Sequence, residues 1–289
     1  MPELPEVETA ARDLAAHVGG ARIAALQHLD WPRLIAPLDP EGFGAAIKGQ
    51  VIQRVSRRAK WLLLELSGGL TLAVHLRMSG SLFVPRPEER VDAHTRLVLA
   101  LSDGRTLHFR DVRKFGRMRL LDAAGLAALD AAHGPEPLAD AFTPACLKGI
   151  LRGRTTRIKP LLLDQSLIAG IGNIYADEAL WHSQLHPERP ADSLRANEVQ
   201  RLHEAIRFVL DKAIRLRGST LRDYRTGTGE SGENQDHFLV YGRTGAPCGR
   251  CHTALIRCVV AQRGTHLCPH CQTLPPARGS ARTATPRAR

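Results

Sequence analysis

The spacing of apolar residues changes twice along the chain, and each change marks a different kind of structure. Residues 6–18 carry apolar side chains at the spacing of one helix face, at Val7, Ala10, Ala11, Leu14, Ala15 and Val18. From about residue 20 to 121, short apolar runs alternate with Gly and Pro, which is typical of strands. From about 134 to 217 the helical spacing returns. The pattern therefore predicts a helix, a strand-rich region and a helical region, in that order.

Two hairpins are predicted in the strand-rich region. In KWLLLELSGGLTLAVHLRM two apolar runs flank Ser67, Gly68 and Gly69, and in RLVLALSDGRTLHFRDV two runs flank Asp103 and Gly104. An Asp-Gly pair between apolar runs favours a tight hairpin turn, because glycine readily adopts the positive φ that such turns need. We expect a sandwich or barrel of antiparallel strands.

The longest helix is predicted over residues 194–216, with Ser193 as the candidate N-cap and Gly218 as the stop. The segment that follows, GSTLRDYRTGTGESGENQDH (218–237), is polar and rich in glycine, so it has too little apolar surface to order by itself. Such a segment is either a linker or a mobile loop that orders over a ligand. The sequence leaves both interpretations open.

The charge of the chain indicates a polyanionic partner. The 289 residues include 40 Lys and Arg against 29 Asp and Glu, a formal net charge of +11. Nucleic acid is the first candidate partner and an anionic membrane surface the second. A genome rich in G and C, which favours Arg and Ala, accounts for part of the excess. No apolar run approaches the ~20 residues of a membrane-spanning helix, so we expect a soluble protein.

Four of the six cysteines form two CxxC pairs, which predicts a metal site. Cys248 and Cys251 are separated by sixteen residues from Cys268 and Cys271. Two such pairs on a hairpin supply four thiolates to one tetrahedral ion, for which zinc is the natural choice, and a site filled by protein ligands is structural. A redox dithiol is the less favoured interpretation. The neighbouring His252, His266 and His270 offer alternative ligands, and Cys258 stays outside the set.

The first residues, MPELPEVET, are acidic and interrupted by prolines, unlike a secretory signal. We expect removal of the initiator Met to expose the secondary amine of Pro2. An α-amino group titrates near 8, so a useful fraction is nucleophilic at neutral pH, and its attack on a sugar C1′ carbon gives an iminium ion. Glu3 and Glu6 are carboxylates available for proton transfer. By itself this opening favours an ordinary chain start, because many proteins begin with Met-Pro.

A series of motifs, in order along the chain, resembles the formamidopyrimidine-DNA glycosylase family. The motifs are MPELPEVET, QRVSRRAKWLLLEL, VHLRMSG, DVRKFG, HGPEPL, IKPLLLDQ, AGIGNIYADEAL, GSTLRDY, VYGRTGAPC and QRGTHLCPHCQ. The resemblance covers residues 2–272. Members of this family are bacterial base-excision repair enzymes that remove oxidised purines such as 8-oxoguanine and then nick the abasic site.

The resemblance implies an α+β fold with four parts. An N-terminal helix and antiparallel β-sandwich form the catalytic domain at 2–134. A helical helix-two-turn-helix domain follows at 135–237, with a lesion-capping loop at 218–237. A zinc-binding β-hairpin occupies 238–274, and 275–289 is a disordered basic tail.

The resemblance also assigns catalytic roles to five residues. Pro2 is the Schiff-base nucleophile, Glu3 the acid that assists opening of the sugar ring, and Glu6 a supporting carboxylate. Lys60 is the proton donor of β-elimination and a phosphate ligand. Arg263, between the two CxxC pairs, is the donor of δ-elimination. The four cysteines hold one structural Zn²⁺.

The remaining matched residues are implied in DNA binding. Met78, Arg113 and Phe115 fill the gap left by a base that is flipped out of the duplex, and such a wedge replaces part of the lost stacking. The other implied DNA contacts are His75, His94, Arg154, Lys159 and Asn173. The amides of the Gly-Ile-Gly-Asn turn suit a phosphate. Members often carry two histidines where this chain has one, so Arg96 is the expected substitute beside His94.

The implied function is a bifunctional DNA glycosylase and abasic-site lyase acting through β,δ-elimination. The alternatives are an endonuclease VIII-type glycosylase for oxidised pyrimidines, whose opening reads PEGPE rather than PELPE, and a non-catalytic zinc DNA-binding module. The capping loop lacks the usual aromatic soon after its glycine, so recognition of the flipped base is expected to differ in detail. We expect damaged double-stranded DNA as the partner of a monomer that needs no small-molecule cofactor and no membrane. It would act on the nucleoid of a bacterial cytoplasm.

Overall fold

A computed structural model describes residues 2–86, 89, 91–222 and 224–275. The chain begins with helix α1 (Leu4–Val18), as the apolar spacing predicts. The first turn of this helix is capped by one of its own residues, because the Glu3 amide donates to the Glu6 carboxylate at 2.8 Å. Residues 276–289, which hold almost all of the predicted disordered tail, lie outside the described residues.

The strand-rich region forms a β-sandwich, which confirms the expected antiparallel architecture. Its strands are β1 (Ile23–Leu29), β2 (Ile52–Arg58), β3 (Trp61–Leu66), β4 (Thr71–His75), β5 (Gly80–Phe83), β6 (Thr95–Leu101), β7 (Thr106–Asp111) and β8 (Arg117–Leu121). In the described residues these strands form two four-stranded sheets, ordered β1-β6-β7-β5 and β2-β3-β4-β8. A short helix, α2 (Pro40–Ile47), lies between β1 and β2.

Both predicted hairpins are present. β3 pairs with β4 and β6 pairs with β7, each antiparallel. Their turns contain Gly69 at φ +79° and Gly104 at φ +87°. This is the left-handed region that glycine enters without steric cost, so the sequence signal and the observed turn have the same physical basis.

The helical region contains α3 (Ala123–Ala131), α4 (Pro144–Leu151), α5 (Ile158–Leu163), α6 (Asn173–His182) and α7 (Ala196–Arg215). In the described residues, the two largest apolar cores lie inside the sandwich and among helices α4 to α7, whereas α3 packs on the sandwich through Leu126 and Leu129. Helix α1 joins the two cores, since Val7, Leu14 and Val18 pack in the sandwich core and Leu4 packs in the helical core. The amino end of the chain is therefore fixed where the two halves meet.

The predicted N-cap of the longest helix is wrong. Helix α7 begins after Arg195, whose amide donates to Glu198 at 2.7 Å, so the capping acceptor comes from inside the helix. Ser193 belongs to a separate 3₁₀ turn and donates its hydroxyl proton to the Pro190 carbonyl. The predicted stop is correct in kind, because Gly218 has φ +78° and its amide donates to the Ala213 carbonyl at 2.8 Å.

The described part of the 218–237 segment packs on α1. The Tyr224 hydroxyl donates to the Glu6 carbonyl at 2.8 Å, the Gly227 amide donates to Asp13 at 3.0 Å, and Thr226 is fully buried. These polar contacts supply the order that the segment's own composition cannot. Of the two interpretations that the sequence left open, they favour a loop that covers a site over a plain linker.

The C-terminal part contains a two-stranded hairpin of β9 (Ile256–Val260) and β10 (Arg263–Leu267). Ala261 and Gln262 form its turn at φ +47° and +61°. The hairpin was expected from the spacing of the cysteines, and its turn places Arg263 at the start of β10. No described helix has the length and apolar character that crossing a bilayer requires.

A partly buried ionic cluster joins the sandwich to the segment that leads into the helices. Glu136, in HGPEPL, pairs with Arg57 at 2.6 Å and with Arg58 at 3.0 Å. It also accepts the Ala59 amide at 2.7 Å. Arg58 donates further to the carbonyls of His133 and Gly134. These two arginines therefore hold the fold together rather than face a phosphate.

We predict that Glu136→Ala lowers the free energy of unfolding by roughly 2 kcal/mol or more, because it leaves two poorly solvated guanidinium groups and one amide without their acceptor. Glu65→Ala is the matched control, since Glu65 pairs with Arg54 at 2.7 Å on an exposed surface. That variant should lose less than about 1 kcal/mol. Urea denaturation midpoints measure both values, and equal small losses would contradict the structural role of Glu136.

Candidate active site

The acidic start of the chain meets the amino end of α6. The Glu3 carboxylate is buried and accepts the amides of Ile174 at 3.0 Å and Tyr175 at 3.4 Å. A Cβ on Gly172 would lie 2.3 Å from the Glu3 carboxyl carbon, so only glycine permits this approach. The amides of Ile174 and Tyr175, which follow the Gly-Ile-Gly-Asn turn, are therefore engaged by Glu3, and the phosphate contact expected of the turn itself stays a prediction. The positive end of the helix holds a carboxylate of the protein itself.

Burial makes the Glu3 carboxyl easier to protonate than an exposed carboxyl, although Lys60 and the two amides stabilise its charged form. Burial raises the pKa of the Glu3 carboxyl above 4.5, and the positive charge of Lys60 opposes this effect in part. A carboxyl group with a raised pKa keeps its proton closer to neutral pH, as a general acid requires. The geometry and the electrostatics of Glu3 therefore agree with the acid role implied by the sequence.

Glu6 lies behind Glu3 and is fixed by three donors. Its carboxylate accepts the Glu3 amide at 2.8 Å, the Tyr175 hydroxyl at 2.5 Å and the Ser219 amide at 2.8 Å. Burial and the Glu6 charge raise the pKa of Tyr175 well above 10, so the phenol stays a hydrogen-bond donor. Glu6 thus connects α1, α6 and the loop at 218–237, which is the supporting position that was expected of it.

Lys60 lies at the turn between β2 and β3, with its ammonium group directed at the helical region. It is 6% exposed, and its Nζ donates to the Ile171 carbonyl at 2.9 Å. Burial lowers the pKa of Lys60 below its usual 10.5, and the charge of Arg263 lowers it further. The preceding Ala59 has φ +51°, a conformation that its hydrogen bond to Glu136 supports.

These residues line two adjoining cavities. The larger, of about 580 Å³, is lined by Glu3, Lys60, His75, Met78, Asn173 and Arg263, among others. The smaller, of about 240 Å³, is lined by Pro2 together with Met78, Arg113, Leu221 and Tyr224. Met78 and Ile174 line both cavities. The structure thus brings the five predicted catalytic residues, which are spread from position 2 to position 263, into one region, with Glu6 beneath its surface.

Arg263 enters this region from the C-terminal hairpin. Its side chain is exposed, and the hairpin turn is tied to α6 by a hydrogen bond from the Asn173 side-chain amide to the Gly264 carbonyl at 2.9 Å. Asn173 therefore lines the cleft with its amide group already engaged. The hairpin delivers a cation to the cleft.

Three predicted wedge residues project beside the cleft. Met78 is 44% exposed and Phe115 is 45% exposed. The Arg113 guanidinium lies 4.9 Å from the centre of the Phe115 ring. Exposed apolar side chains of this size, grouped next to a polar cleft, are typical of a binding surface. Neither apolar side chain is part of the core.

His75 lies in the cleft as a neutral ring. Burial, with the nearby charge of Arg77, lowers the pKa of His75 to about 3. Its Nδ1 accepts the Arg77 amide at 3.0 Å, so the single ring proton lies on Nε2. The ring packs edge-on against Trp61 at 4.9 Å. His75 can therefore donate a hydrogen bond into the cleft without carrying charge.

The expected DNA contact of Lys159 is wrong. Its ammonium group is fully buried and pairs with Asp177 at 2.6 Å. It also donates to the Gly264 carbonyl at 3.0 Å and the Thr265 hydroxyl at 2.8 Å. Because Asp177 also accepts the His266 amide at 2.9 Å, this buried cluster anchors the hairpin that carries Arg263. Lys159 is enclosed by protein and has no path to a phosphate.

Arg96 is likewise unable to substitute for a second histidine beside His94. It is 5% exposed, donates from Nε to the Asp111 carbonyl at 2.8 Å and pairs with Asp30 at 2.6 Å. A guanidinium that is already paired and buried offers little to DNA. His94 and Arg154 are both partly exposed, so their expected contacts remain geometrically open.

Among the other residues that line the large cavity are Arg77, Gln165 and Tyr241, which were not singled out in the sequence. Gln165 donates to the Ile171 carbonyl at 2.8 Å and accepts the Gly170 amide at 2.9 Å, so it shapes the turn before α6. All three belong to motifs that carry the family resemblance. Their position within those motifs was the sequence signal that could have identified them.

The four predicted metal ligands converge at the base of the hairpin. The sulfur atoms of Cys248, Cys251, Cys268 and Cys271 all lie within 4.8 Å of one another, and two of these cysteines are fully buried. This donor set fits one tetrahedral zinc ion with a structural role. Of the histidines considered as alternatives, His266 bonds to Asp177 instead. Cys258 stays outside the set, as expected.

Comparison with known protein families gives three matches along the chain. Residues 1–118 match the formamidopyrimidine-DNA glycosylase N-terminal domain, and residues 133–225 match the H2TH domain of the same enzyme. Residues 245–274 match the zinc finger found in FPG and IleRS. Together the matched stretches cover most of the chain.

Individual proteins agree with these matches. The formamidopyrimidine-DNA glycosylase of Roseiflexus sp. (strain RS-1) is 58% identical over 94% of this chain and 100% of its own length. A complex between the Lactococcus lactis Fpg and DNA containing an abasic site has a TM-score of 0.87 at 37% identity, covering 94% of this chain and 99% of that one. The MutM (Fpg) protein of Thermus thermophilus has a TM-score of 0.84 at 43% identity, covering 95% of this chain and 100% of that one.

The α+β fold, the cysteine cluster and the cleft at the buried amino end thus coincide with similarity over nearly the whole length of the chain. The protein belongs to the formamidopyrimidine-DNA glycosylase family and is a DNA glycosylase of base-excision repair.

Proposed function

We propose that this glycosylase excises oxidised purines through a covalent Pro2 intermediate and then cleaves the abasic site by β,δ-elimination. The observation that carries the proposal is the convergence of Pro2, Glu3, Lys60 and Arg263 on adjoining cavities. Phosphate binding alone has no need of a secondary amine beside a buried carboxyl group. The arrangement therefore argues against a non-catalytic DNA-binding module.

In the excision step, the Pro2 nitrogen forms a bond to C1′ and releases its own proton. The bond between C1′ and the base breaks, and the base leaves with that electron pair and takes up a proton. Opening of the sugar ring then breaks the bond between C1′ and O4′, and Glu3 supplies a proton to O4′. The product is an iminium ion between Pro2 and C1′. The raised pKa of Glu3 supports its role as the donor.

The iminium ion makes the protons on C2′ acidic, because it can accept the electrons that their removal releases. Loss of a C2′ proton expels the 3′ phosphate, and a second elimination expels the 5′ phosphate. Lys60 and Arg263 both line the cleft and supply the cationic donors for these leaving groups. Zinc, when bound, holds the hairpin that carries Arg263 and takes no part in these steps.

Recognition of the lesion requires that the damaged base leave the duplex. Extrusion costs a few kcal/mol of lost stacking and pairing. We assign Met78, Arg113 and Phe115 to the gap that the base leaves, because they are exposed and adjoin the Pro2 cavity. His75, His94, Arg154 and Asn173 are assigned to the DNA backbone on their exposure and position. The net charge of +11 supports binding of phosphates over the whole surface.

The proposed working unit is a monomer that acts on nucleoid DNA in the cytoplasm, without attachment to a membrane. One copy of the chain carries every group that the proposed chemistry uses. We divide it into a catalytic sandwich domain (2–134), a helix-two-turn-helix domain with its capping loop (135–237), a zinc hairpin (238–274) and a basic tail (275–289). The loop at 218–237 covers the Pro2 cavity through Ser219, Leu221 and Tyr224.

Borohydride is expected to trap a covalent complex between this protein and a duplex that contains 8-oxoguanine, because hydride reduces the Pro2 iminium ion to a stable amine. A shifted band on a denaturing gel measures the complex. Pro2→Gly should lose strand cleavage while keeping most of its affinity, since distributed phosphate contacts dominate binding. Intact binding by the unaltered protein without trapping would contradict the proposed chemistry, and collapse of affinity in Pro2→Gly would make Pro2 a structural residue.

The preferred lesion separates the proposed function from the endonuclease VIII type. Single-turnover excision of 8-oxoguanine opposite C should be faster than excision of thymine glycol in the same duplex. Both rates come from one assay, with undamaged duplex as the control. Faster release of thymine glycol would assign the protein to oxidised pyrimidines.

The product of strand cleavage tests the role of Arg263. Arg263→Ala should accumulate the unsaturated aldehyde that β-elimination leaves at the 3′ end, where the unaltered enzyme proceeds to a 3′ phosphate. Arg257→Ala is the matched control, because Arg257 is an exposed arginine on the other strand of the same hairpin. Electrophoresis of end-labelled DNA separates the two products. An unchanged product ratio in Arg263→Ala would remove Arg263 from the second elimination.

A further inference from the structure

A fully buried carboxylate lies beneath the wedge residues. Asp111 ends strand β7 and has no exposed surface. Its Oδ1 accepts the Ser79 hydroxyl at 2.5 Å and the Arg113 amide at 3.1 Å. Its Oδ2 accepts the amides of Phe115 at 2.9 Å and Gly116 at 2.8 Å. Four donors thus converge on one side chain, the first residue of the DVRKFG motif.

These donors come from two separate loops. Ser79 follows Met78 in the connection between β4 and β5, whereas Arg113, Phe115 and Gly116 lie in the connection between β7 and β8. The loops also contact each other directly, since the Arg113 amide approaches the Ser79 hydroxyl oxygen at 3.1 Å. Asp111 is therefore a link between the loop that carries Met78 and the loop that carries Arg113 and Phe115.

The backbone of the second loop fits closely over the carboxylate. A Cβ on Gly116 would lie 2.4 Å from the Phe109 ring and 3.2 Å from Asp111 Oδ2. Lys114, between the two wedge residues of this loop, has φ +56°. A non-glycine residue in the left-handed region persists only where its surroundings determine the conformation. Here the amides on either side of Lys114 are held by the same carboxylate.

The main chain of Asp111 is fixed as well. Its amide donates to the His94 carbonyl at 2.9 Å, and its carbonyl accepts Nε of Arg96 at 2.8 Å. Arg96 is in turn paired with Asp30. The residue is thus anchored to the sandwich and supports both loops from it. Arg96 is buried and does not face the DNA, but it stabilises the backbone of Asp111.

Wedge side chains can fill the gap in the duplex only if the loops that carry them keep their position. Met78 and Phe115 are exposed side chains on loops. Extrusion of a base costs a few kcal/mol of lost stacking and pairing, so the duplex favours the return of the base to the stack. Side chains that must hold a defined position need support from hydrogen-bonded residues behind them. Asp111 supplies that support to both loops at once.

We propose that Asp111 is a positioning residue that fixes Met78, Arg113 and Phe115 as one rigid wedge, so that its contribution falls on extrusion of a paired base. The inference rests on the wedge role in the proposed function. It places no demand on the chemistry at Pro2. A wedge that is loosened should therefore slow only those reactions in which a base pair has to be opened.

Asp111→Asn tests this inference, because it preserves the size of the side chain and replaces one acceptor oxygen by an amide that faces backbone donors. We expect single-turnover excision of 8-oxoguanine opposite C to slow by at least about tenfold, and cleavage of a preformed abasic site to slow by less than about threefold. Excision should recover in part when the nucleotide opposite the lesion is missing, since no pair then has to be opened. Asp103→Asn, an exposed change in the turn before β7, should leave all three rates unaltered.

Ser79→Ala provides a second variant that removes only one of the four donors. It should show a smaller loss with the same selectivity for the paired lesion, and it carries the test if Asp111→Asn does not fold. Equal slowing of all three substrates would make Asp111 a purely structural residue and overturn the inference.

The wedge itself is tested separately with Met78→Ala/Phe115→Ala. In that background Asp111→Asn should cause little additional slowing, because residues that act through one another are not additive. Full additivity would overturn the positioning role. If Met78→Ala/Phe115→Ala leaves paired excision unchanged, the wedge assignment fails, while borohydride trapping still reports on the chemistry at Pro2.

Discussion

Glu3 places its carboxylate against the first turn of α6, and the rest of the active site is arranged around that contact. A buried carboxylate is stable only where donors and positive charge surround it. Here the amides of Ile174 and Tyr175, the helix end and Lys60 provide them. The close approach needs a glycine at position 172, and Glu6 then fixes the Glu3 backbone from behind. Pro2 is held in place because the residue after it is held in place.

Many basic residues of this protein stabilise the fold and do not face the DNA. Arg57 and Arg58 pair with Glu136, Lys159 pairs with Asp177, and Arg96 pairs with Asp30. Each pairing fixes an element that carries a functional group: the turn before Lys60, the hairpin of Arg263, or the loops of the wedge. Net charge indicated the right partner, but it did not separate the cations that face DNA from those that position them.

The sequence predicted the features that depend on local chemistry. Hairpin glycines, the apolar face of α1 and the cysteine pairs have causes within a few residues, and the structure agrees with them. The sequence did not predict the features that depend on residues far away along the chain. Lys159, for example, is buried by residues more than 100 positions away. The role of Asp111 has no local sequence signal, because its four donors lie on two loops that only the fold brings together.

The position of Leu4 has a consequence for when the enzyme becomes active. Leu4 packs in the helical core while the remainder of α1 packs in the sandwich core. The amino terminus is the first part of the chain to leave the ribosome, yet its surroundings are completed by α6, by the loop at 218–237 and by the hairpin near the C-terminus. A growing or truncated chain therefore carries Pro2, the proposed nucleophile, without the residues that surround it in the complete fold. Under the proposed chemistry, the site is assembled only when the C-terminal hairpin has been synthesised.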